Sequence, residues 1–261
     1  MNYITIILIL LFVLLLIILM RKKLHSVFDG KMPLIPDFAS YNQETQAISL
    51  HLDFEKSNEG KACFLIFDLE TTGLPIKAKS TPADYPNWPR VIQISWILFD
   101  EEGKEINNET HYVWQTDKIT AASMKIHHIT DEMLAEKGED ATEVWRSFMN
   151  DIEKCQYIVT HNNDFDIPII ESELHRIGIF NSFQTKSLIC TMQLSKNIIK
   201  IPSMDIGRYK EPNLEEMMRF CYFPDFNKLH IEGLHNAVTD TAITAKCFFY
   251  FLNNNYLKLK E

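Results

Sequence analysis

The stretch Phe64-Leu65-Ile66-Phe67-Asp68-Leu69-Glu70-Thr71-Thr72-Gly73-Leu74 sets the terms for the rest of the chain. An apolar run that ends in two carboxylates and then in Thr-Thr-Gly predicts a buried strand emptying into a turn at a sheet edge. Residues two apart on a strand project to one face, so Asp68 and Glu70 point together while Leu69 packs on the opposite side. Side by side, the two carboxylates repel unless a cation lies between them. No Lys or Arg occurs between Cys63 and Pro75, which makes a hard divalent cation with oxygen ligands the natural partner. The stretch alone also fits a strand end with solvated acids, and the remaining residues have to decide.

Ile4 to Met20 carries no charge, Pro or Gly. At about 1.5 Å per residue such a run just spans a hydrocarbon core, so residues 1–23 are expected to form a single transmembrane anchor. A cleaved signal peptide fits less well, because positive charge ahead of the run and a small-residue cleavage site after it are both missing. Arg21-Lys22-Lys23 follows the run directly, and the positive-inside rule then places everything beyond it in the cytoplasm. The five cysteines, Cys63, Cys155, Cys190, Cys221 and Cys247, form no CxxC pair. They read as reduced thiols in neither a disulfide framework nor a zinc site.

Acidic and basic residues balance up to Ser57, so the net charge of -9 falls on the remainder. An acidic domain is a poor sequence-independent binder of long nucleic acid, which depends on Lys and Arg to neutralise phosphates. Nucleic acid would have to be handled locally, through metal ions at a chain end.

Residues 24–59 read as a tether that docks one short extended piece, since Ile48, Leu50, Leu52 and Phe54 alternate with polar neighbours. A domain is expected over residues 60–255. After the opening strand, the proline-rich stretch Pro75 to Pro89 predicts a surface loop forming one wall of the site. Val91 to Phe99 and Glu105 to Gln115 read as strands joined by a turn at Glu101-Glu102-Gly103-Lys104. Ala121 to Ile126, Thr142 to Cys155, Phe165 to Ile177, Asn213 to Cys221 and Asn236 to Leu252 read as helices, with short strands at Tyr157 to Thr160 and Ser187 to Thr191. Strands first, then helix and strand in alternation, is an α/β layout with a mixed central sheet flanked by helices.

Two further acids stand where helices begin: Asp166 in His161-Asn162-Asn163-Asp164-Phe165-Asp166 and Asp240 in His235-Asn236-Ala237-Val238-Thr239-Asp240. Each alone reads as a cap or first-turn acid; joined to Asp68 and Glu70 they would make a metal cage. Taken together, FDLETTGL, HNNDFD and HNAVTD resemble, in this order, the three motifs of the DEDDh 3′ to 5′ exonucleases, relatives of bacterial polymerase proofreading subunits with a ribonuclease H-like fold. The resemblance covers Ala62 to Leu252. Smaller matches are Arg90-Val91-Ile92-Gln93-Ile94, with Gln93 where many members carry Glu, and Ile126-His127-His128-Ile129-Thr130, with His128 replacing a glycine. A glycine there often means a positive φ.

The resemblance implies Asp68, Glu70, Asp166 and Asp240 as ligands of two Mg²⁺ or Mn²⁺ ions and His235 as general base. It also implies that Thr71, Thr72, Gly73 and Leu74 hold the terminal nucleotide. Phe165, Trp88 or Tyr85 could stack a base, which suits a single-stranded 3′ end, while Trp88 and Tyr85 fit equally well as anchors of their loop against the core. The expected function is release of nucleoside monophosphates from the 3′ end of DNA or RNA by a membrane-anchored enzyme. The alternative is a non-hydrolytic end-binding module or a polymerase-accessory subunit whose protein partner the sequence does not name.

Overall fold

The structure is a computed structural model that describes residues 34–77 and 79–259. The run from Ile4 to Met20 and the basic cluster after it therefore lie outside the described residues. Among the described residues no helix is long and apolar enough to cross a membrane.

A five-stranded sheet, ordered β5-β4-β3-β6-β7, organises the compact unit that starts at Pro36. Its members are β3 (Ala62–Thr71), β4 (Val91–Asp100), β5 (Glu105–Tyr112), β6 (Tyr157–Thr160) and β7 (Ser187–Cys190). The pairs β3–β4 and β4–β5 are antiparallel, whereas β6 runs parallel to β3 and β7 parallel to β6. Helices α1 (Ala121–His127), α2 (Asp131–Lys137), α3 (Ala141–Lys154), α4 (Asn163–Arg176), α5 (Thr191–Ile199), α6 (Leu214–Tyr222) and α7 (Ala237–Asn253) complete the unit. This is the mixed α/β layout expected from the order of elements.

Alternation along β3 explains how the sheet builds two cores. Leu65, Phe67 and Leu69 face Trp145, Phe148 and Ile152 of α3 and Ile170 and Leu174 of α4, while Phe64 and Ile66 face Ala245 and Phe248 of α7. All ten residues of β4 are buried, as expected for a strand covered on both faces. Full burial of one such side chain is worth about 1.5–3 kcal/mol, so both faces are strongly specified and a register slip in β3 is forbidden. Asp68 and Glu70 continue the series Phe64, Ile66 and therefore emerge on the face of the sheet that α7 covers.

Several boundaries differ from the sequence expectations. The third strand stops at Tyr112, short of Gln115, because Val113 and Trp114 turn to pair with the segment at Glu139. Helices α2 and α5 were not foreseen. The first is a seven-residue helix capped by Thr130, and the second begins directly at the end of β7 with no intervening linker. Residues 36–59, read as tether with one docked piece, contain a hairpin of β1 (Ala39–Asn42) and β2 (Ala47–Leu50) that lies inside the compact unit. Ala47 and Ile48 are fully covered there.

Phe148 makes edge contacts with Phe67, Trp96, Trp145 and Phe183. Phe148→Ala is expected to lower stability by about 3–5 kcal/mol, read from urea unfolding; a loss below about 1 kcal/mol would contradict this packing.

Candidate active site

The carboxylates meet because three separate elements end at one place. Asp68 and Glu70 pair across β4 with Ser95 and Gln93. The same two residues fasten the start of α7: the Ala237 N–H donates to Gln93 Oε1 at 3.1 Å, and Thr241 Oγ1 donates to the Ser95 carbonyl at 3.0 Å. Asn236 caps that helix through the Val238 N–H. Asp240, in the first turn, is thereby held over the end of β3. One ligand oxygen from each of Asp68, Glu70 and Asp240 lies within 4.8 Å of the others. Asp166, in the first turn of α4 and buried, stands outside this tight trio but repels Asp68 and Glu70 across the same cleft.

This open cleft of about 930 Å³ is lined by all four carboxylates together with His235, Phe165 and His161. His235 is exposed, adopts φ 61, and donates its backbone N–H to Asp240 Oδ2 at 3.2 Å. Its imidazole is thus carried on a short loop tied by its own backbone to one of the carboxylates.

Electrostatically the cluster is frustrated. Burial pushes Asp68 well above the usual carboxylate range, and Asp240, Asp166 and Glu70 add to the rise. Glu70 is pushed up to about 8 by burial and by Asp240 and Asp166. Asp166 and Asp240 are each raised to about 7 by burial, against the lowering effect of hydrogen bonds from Thr160 and the Asn162 backbone, and from the His235 backbone. The charges that act on Asp68 and Glu70 are those of other carboxylates. Asp240 Oδ1 is buried and has no hydrogen-bond partner among the described residues. Convergent carboxylate oxygens, one of them unpartnered, fit a hard divalent cation, which would supply the missing positive charge.

The other candidates divide. Thr71 and Thr72 are buried, with their hydroxyls engaged internally: Thr71 Oγ1 donates to the Gly73 carbonyl at 2.7 Å, and Thr72 Oγ1 accepts the Arg90 N–H at 2.9 Å. Neither they nor Gly73 and Leu74 line the cleft. They shape the turn beside it and leave Leu74 as the exposed member, at 79%. Phe165 borders both this cleft and a second one behind the proline-rich loop. Trp88 does not offer a stacking face: it is buried, and its indole N–H donates to the Thr81 carbonyl at 2.8 Å. Tyr85 likewise anchors the loop, through His175 Nδ1 at 2.7 Å and beneath the Arg176 guanidinium.

His128 takes φ 60 as the left-handed C-cap of α1, the conformation that the replaced glycine implied. His127 is buried, and its Nδ1 accepts the Ile129 N–H. His161 donates from Nε2 to the Pro212 carbonyl at 3.2 Å and bonds Thr191 Oγ1 through Nδ1. Burial pushes it down to about 4, so it serves as a neutral tie between segments. Reading the sequence did not reveal Gln93 and Ser95 as the residues that place Asp240. Arg90 is another such support, held by Glu173 at 2.8 and 3.1 Å while its backbone pins Thr72. In the sequence it is marked by its place at the head of the matched strand Arg90-Val91-Ile92-Gln93-Ile94, which carries no hint of its supporting role.

An exonuclease family model of the RNase T type matches residues 65–248. The chain belongs to the exonuclease family. It is 28% identical over 190 residues to the PolC-type DNA polymerase III of Mycoplasma genitalium, an alignment covering 73% of this chain and 11% of that one. It is 27% identical over 185 residues to the epsilon subunit of DNA polymerase III from Buchnera aphidicola subsp. Acyrthosiphon pisum, covering 70% of each. E. coli exonuclease I, solved in complex with a dT13 oligonucleotide, shares the fold with a TM-score of 0.56 at 19% identity, over 75% of this chain and 41% of its own. The chain spans less than half of exonuclease I and about a tenth of the PolC-type protein.

Carboxyls raised in the folded state stabilise the protein below their unfolded pKa of about 4 and lose that contribution as pH rises through their folded values. In chelator, the melting temperature is therefore expected to fall between about pH 5 and 8. Asp240→Asn should flatten the fall, and Mn²⁺ added at the upper pH should reverse it. A melting temperature indifferent to pH and to Mn²⁺ would contradict the frustrated cluster.

Proposed function

We propose that this chain is a divalent-metal-dependent 3′ to 5′ exonuclease that removes nucleoside monophosphates from single-stranded nucleic acid ends. The observation that carries the reading is the convergence of Asp68, Glu70 and Asp240 within 4.8 Å, with Asp166 and His235 on the same cleft. The 3′ polarity rests on the motif resemblance. The single-stranded preference is supported by the oligonucleotide complex of exonuclease I and by the acidic charge of the chain, which disfavours a long duplex track.

Asp68, Glu70, Asp166 and Asp240 would hold two Mg²⁺ or Mn²⁺ ions. Such ions, when bound, polarise a phosphodiester, activate an attacking water and stabilise the departing oxygen. The chain's own contributions follow from its geometry. His235, exposed on the cleft wall, accepts the proton that the attacking water loses as its oxygen bonds to phosphorus. The bond to the 3′ oxygen of the penultimate nucleotide breaks with its electron pair on that oxygen, which takes a proton from solvent and leaves as a hydroxyl, and the terminal nucleotide departs with a 5′ phosphate. Phe165 offers a half-buried ring beside Asp166 for a base, and Leu74 an exposed apolar contact at the neighbouring turn.

Asp68→Ala is expected to abolish release of mononucleotides from 3′-labelled oligonucleotides while the fold persists, and chelator should do the same to the wild type. His235→Asn should keep metal binding and reduce turnover by about 10² or more. Near-normal turnover in either variant, or undiminished activity in chelator, would contradict the assigned roles. Running DNA and RNA oligonucleotides in parallel would identify the sugar the enzyme accepts.

Attachment to a membrane through residues 4–20, with the remainder on the cytoplasmic side, is proposed from the uncharged run and the basic cluster behind it. Protease added to intact cells, or to spheroplasts where there is a wall, should leave the chain beyond residue 24 uncut. Digestion there would reverse the orientation.

A further inference from the structure

The loop that carries His235 is held by the N-terminal hairpin, through contacts that the chemistry proposed for His235 does not by itself require. Ile48, in β2, turns both backbone groups away from β1 and onto this loop: its N–H donates to the His230 carbonyl at 2.7 Å, and its carbonyl accepts the Glu232 N–H at 2.9 Å. Ile48 and Ile231 form a parallel bridge, and both side chains are about 1% exposed. Ser49 Oγ adds a hydrogen bond to the Glu232 carboxylate. From the opposite side, Glu215 of α6 accepts the Ile231 N–H at 3.2 Å. The chain then passes through two left-handed residues, Gly233 at φ 78 and His235 at φ 61. Side chains tolerate that region poorly, so His235 keeps its conformation only where its neighbours fix it.

We propose that Ile48 is a positioning residue for His235: β2 acts as an added strand that clamps residues 230–232 and so aims the imidazole at the cleft. This rests on the role proposed for His235. It makes the hairpin part of the working site, although Ala39 to Leu50 lie well before the first motif in sequence. Phe38 at the hairpin's base packs on Tyr222 with ring centroids 5.0 Å apart, and Tyr41 packs on Phe226, so the clamp is seated on the same segment that leads to the loop. A soluble form started at residue 58 would lose the clamp with the tether, whereas one started before Pro36 would keep it.

Ile48→Pro deletes the donor to His230 while Ala47, already extended, accommodates the ring. In that variant of the full chain, hydrogen exchange at the amides of residues 231–235 is expected to rise by about tenfold or more. Turnover on a short single-stranded oligonucleotide should fall by about tenfold, with KM and Mn²⁺ affinity within about twofold of wild type. Ile48→Val should restore both readouts. Phe148→Ala, which loosens the opposite face of the sheet, should leave turnover intact below its melting temperature. If Ile48→Pro does not fold, Ile48→Ala empties the same seat and carries the same expectation at smaller size. Unchanged exchange at 231–235, or raised exchange with turnover intact, overturns the proposal. If the wild type releases no nucleotide with any metal, the functional reading fails instead, and exchange still decides whether the clamp exists.

Discussion

Carboxylates crowded into a poorly solvated corner are a liability that a fold tolerates only when strong packing elsewhere holds them there. Here β3 is locked by apolar residues on both faces, so Asp68 and Glu70 cannot slip out of the corner without moving Phe64, Ile66 and Phe67. Asp240 is brought to them by α7, whose first turn is fastened to β4 at Gln93 and Ser95. The raised carboxyls and the unpartnered Asp240 Oδ1 are the electrostatic record of that imposition. Among the described residues no cationic side chain relieves it; a divalent cation would.

The same logic explains why supports in this structure come from far away in sequence. A loop with two left-handed residues has little conformational preference of its own for one geometry, so His235 depends on partners on either side. Glu215 supplies one and Ile48 the other. The turn after β3 is similar: Thr72 is bracketed by the Arg90 backbone and the Thr120 N–H, and Arg90 is itself fixed by the buried Glu173 carboxylate. Removing one partner of such a buried pair leaves an uncompensated charge, typically at a cost of about 3–5 kcal/mol.

What the sequence made legible is what depends on local pattern. The alternation ending at Glu70 fixed the face on which both acids emerge, and the helix-starting acids Asp166 and Asp240 stood out by position. The strands of the meander and the long closing helix followed from periodicity. What escaped depends on distant partners. The helix at Asp131–Lys137 spans two turns and has too short a period to announce itself, and the one at Thr191–Ile199 follows β7 without any break. For Trp88 and Tyr85 the sequence leaves base stacking and loop anchoring both open, because a proline-rich loop does not name the partners, Thr81 and His175, that settle it as anchoring. Nothing in the segment 36–59 reveals that its hairpin would find residues 230–232.

The central claim is that the corner formed by Asp68, Glu70, Asp166 and Asp240 is built to hold divalent cations. Electron paramagnetic resonance during a Mn²⁺ titration of the intact protein tests it most directly. The account predicts saturable binding of two ions close enough to broaden each other's spectrum, abolished in Asp68→Asn without loss of fold. Mn²⁺ that stays free in solution throughout the titration, or that binds equally well to Asp68→Asn, would contradict it.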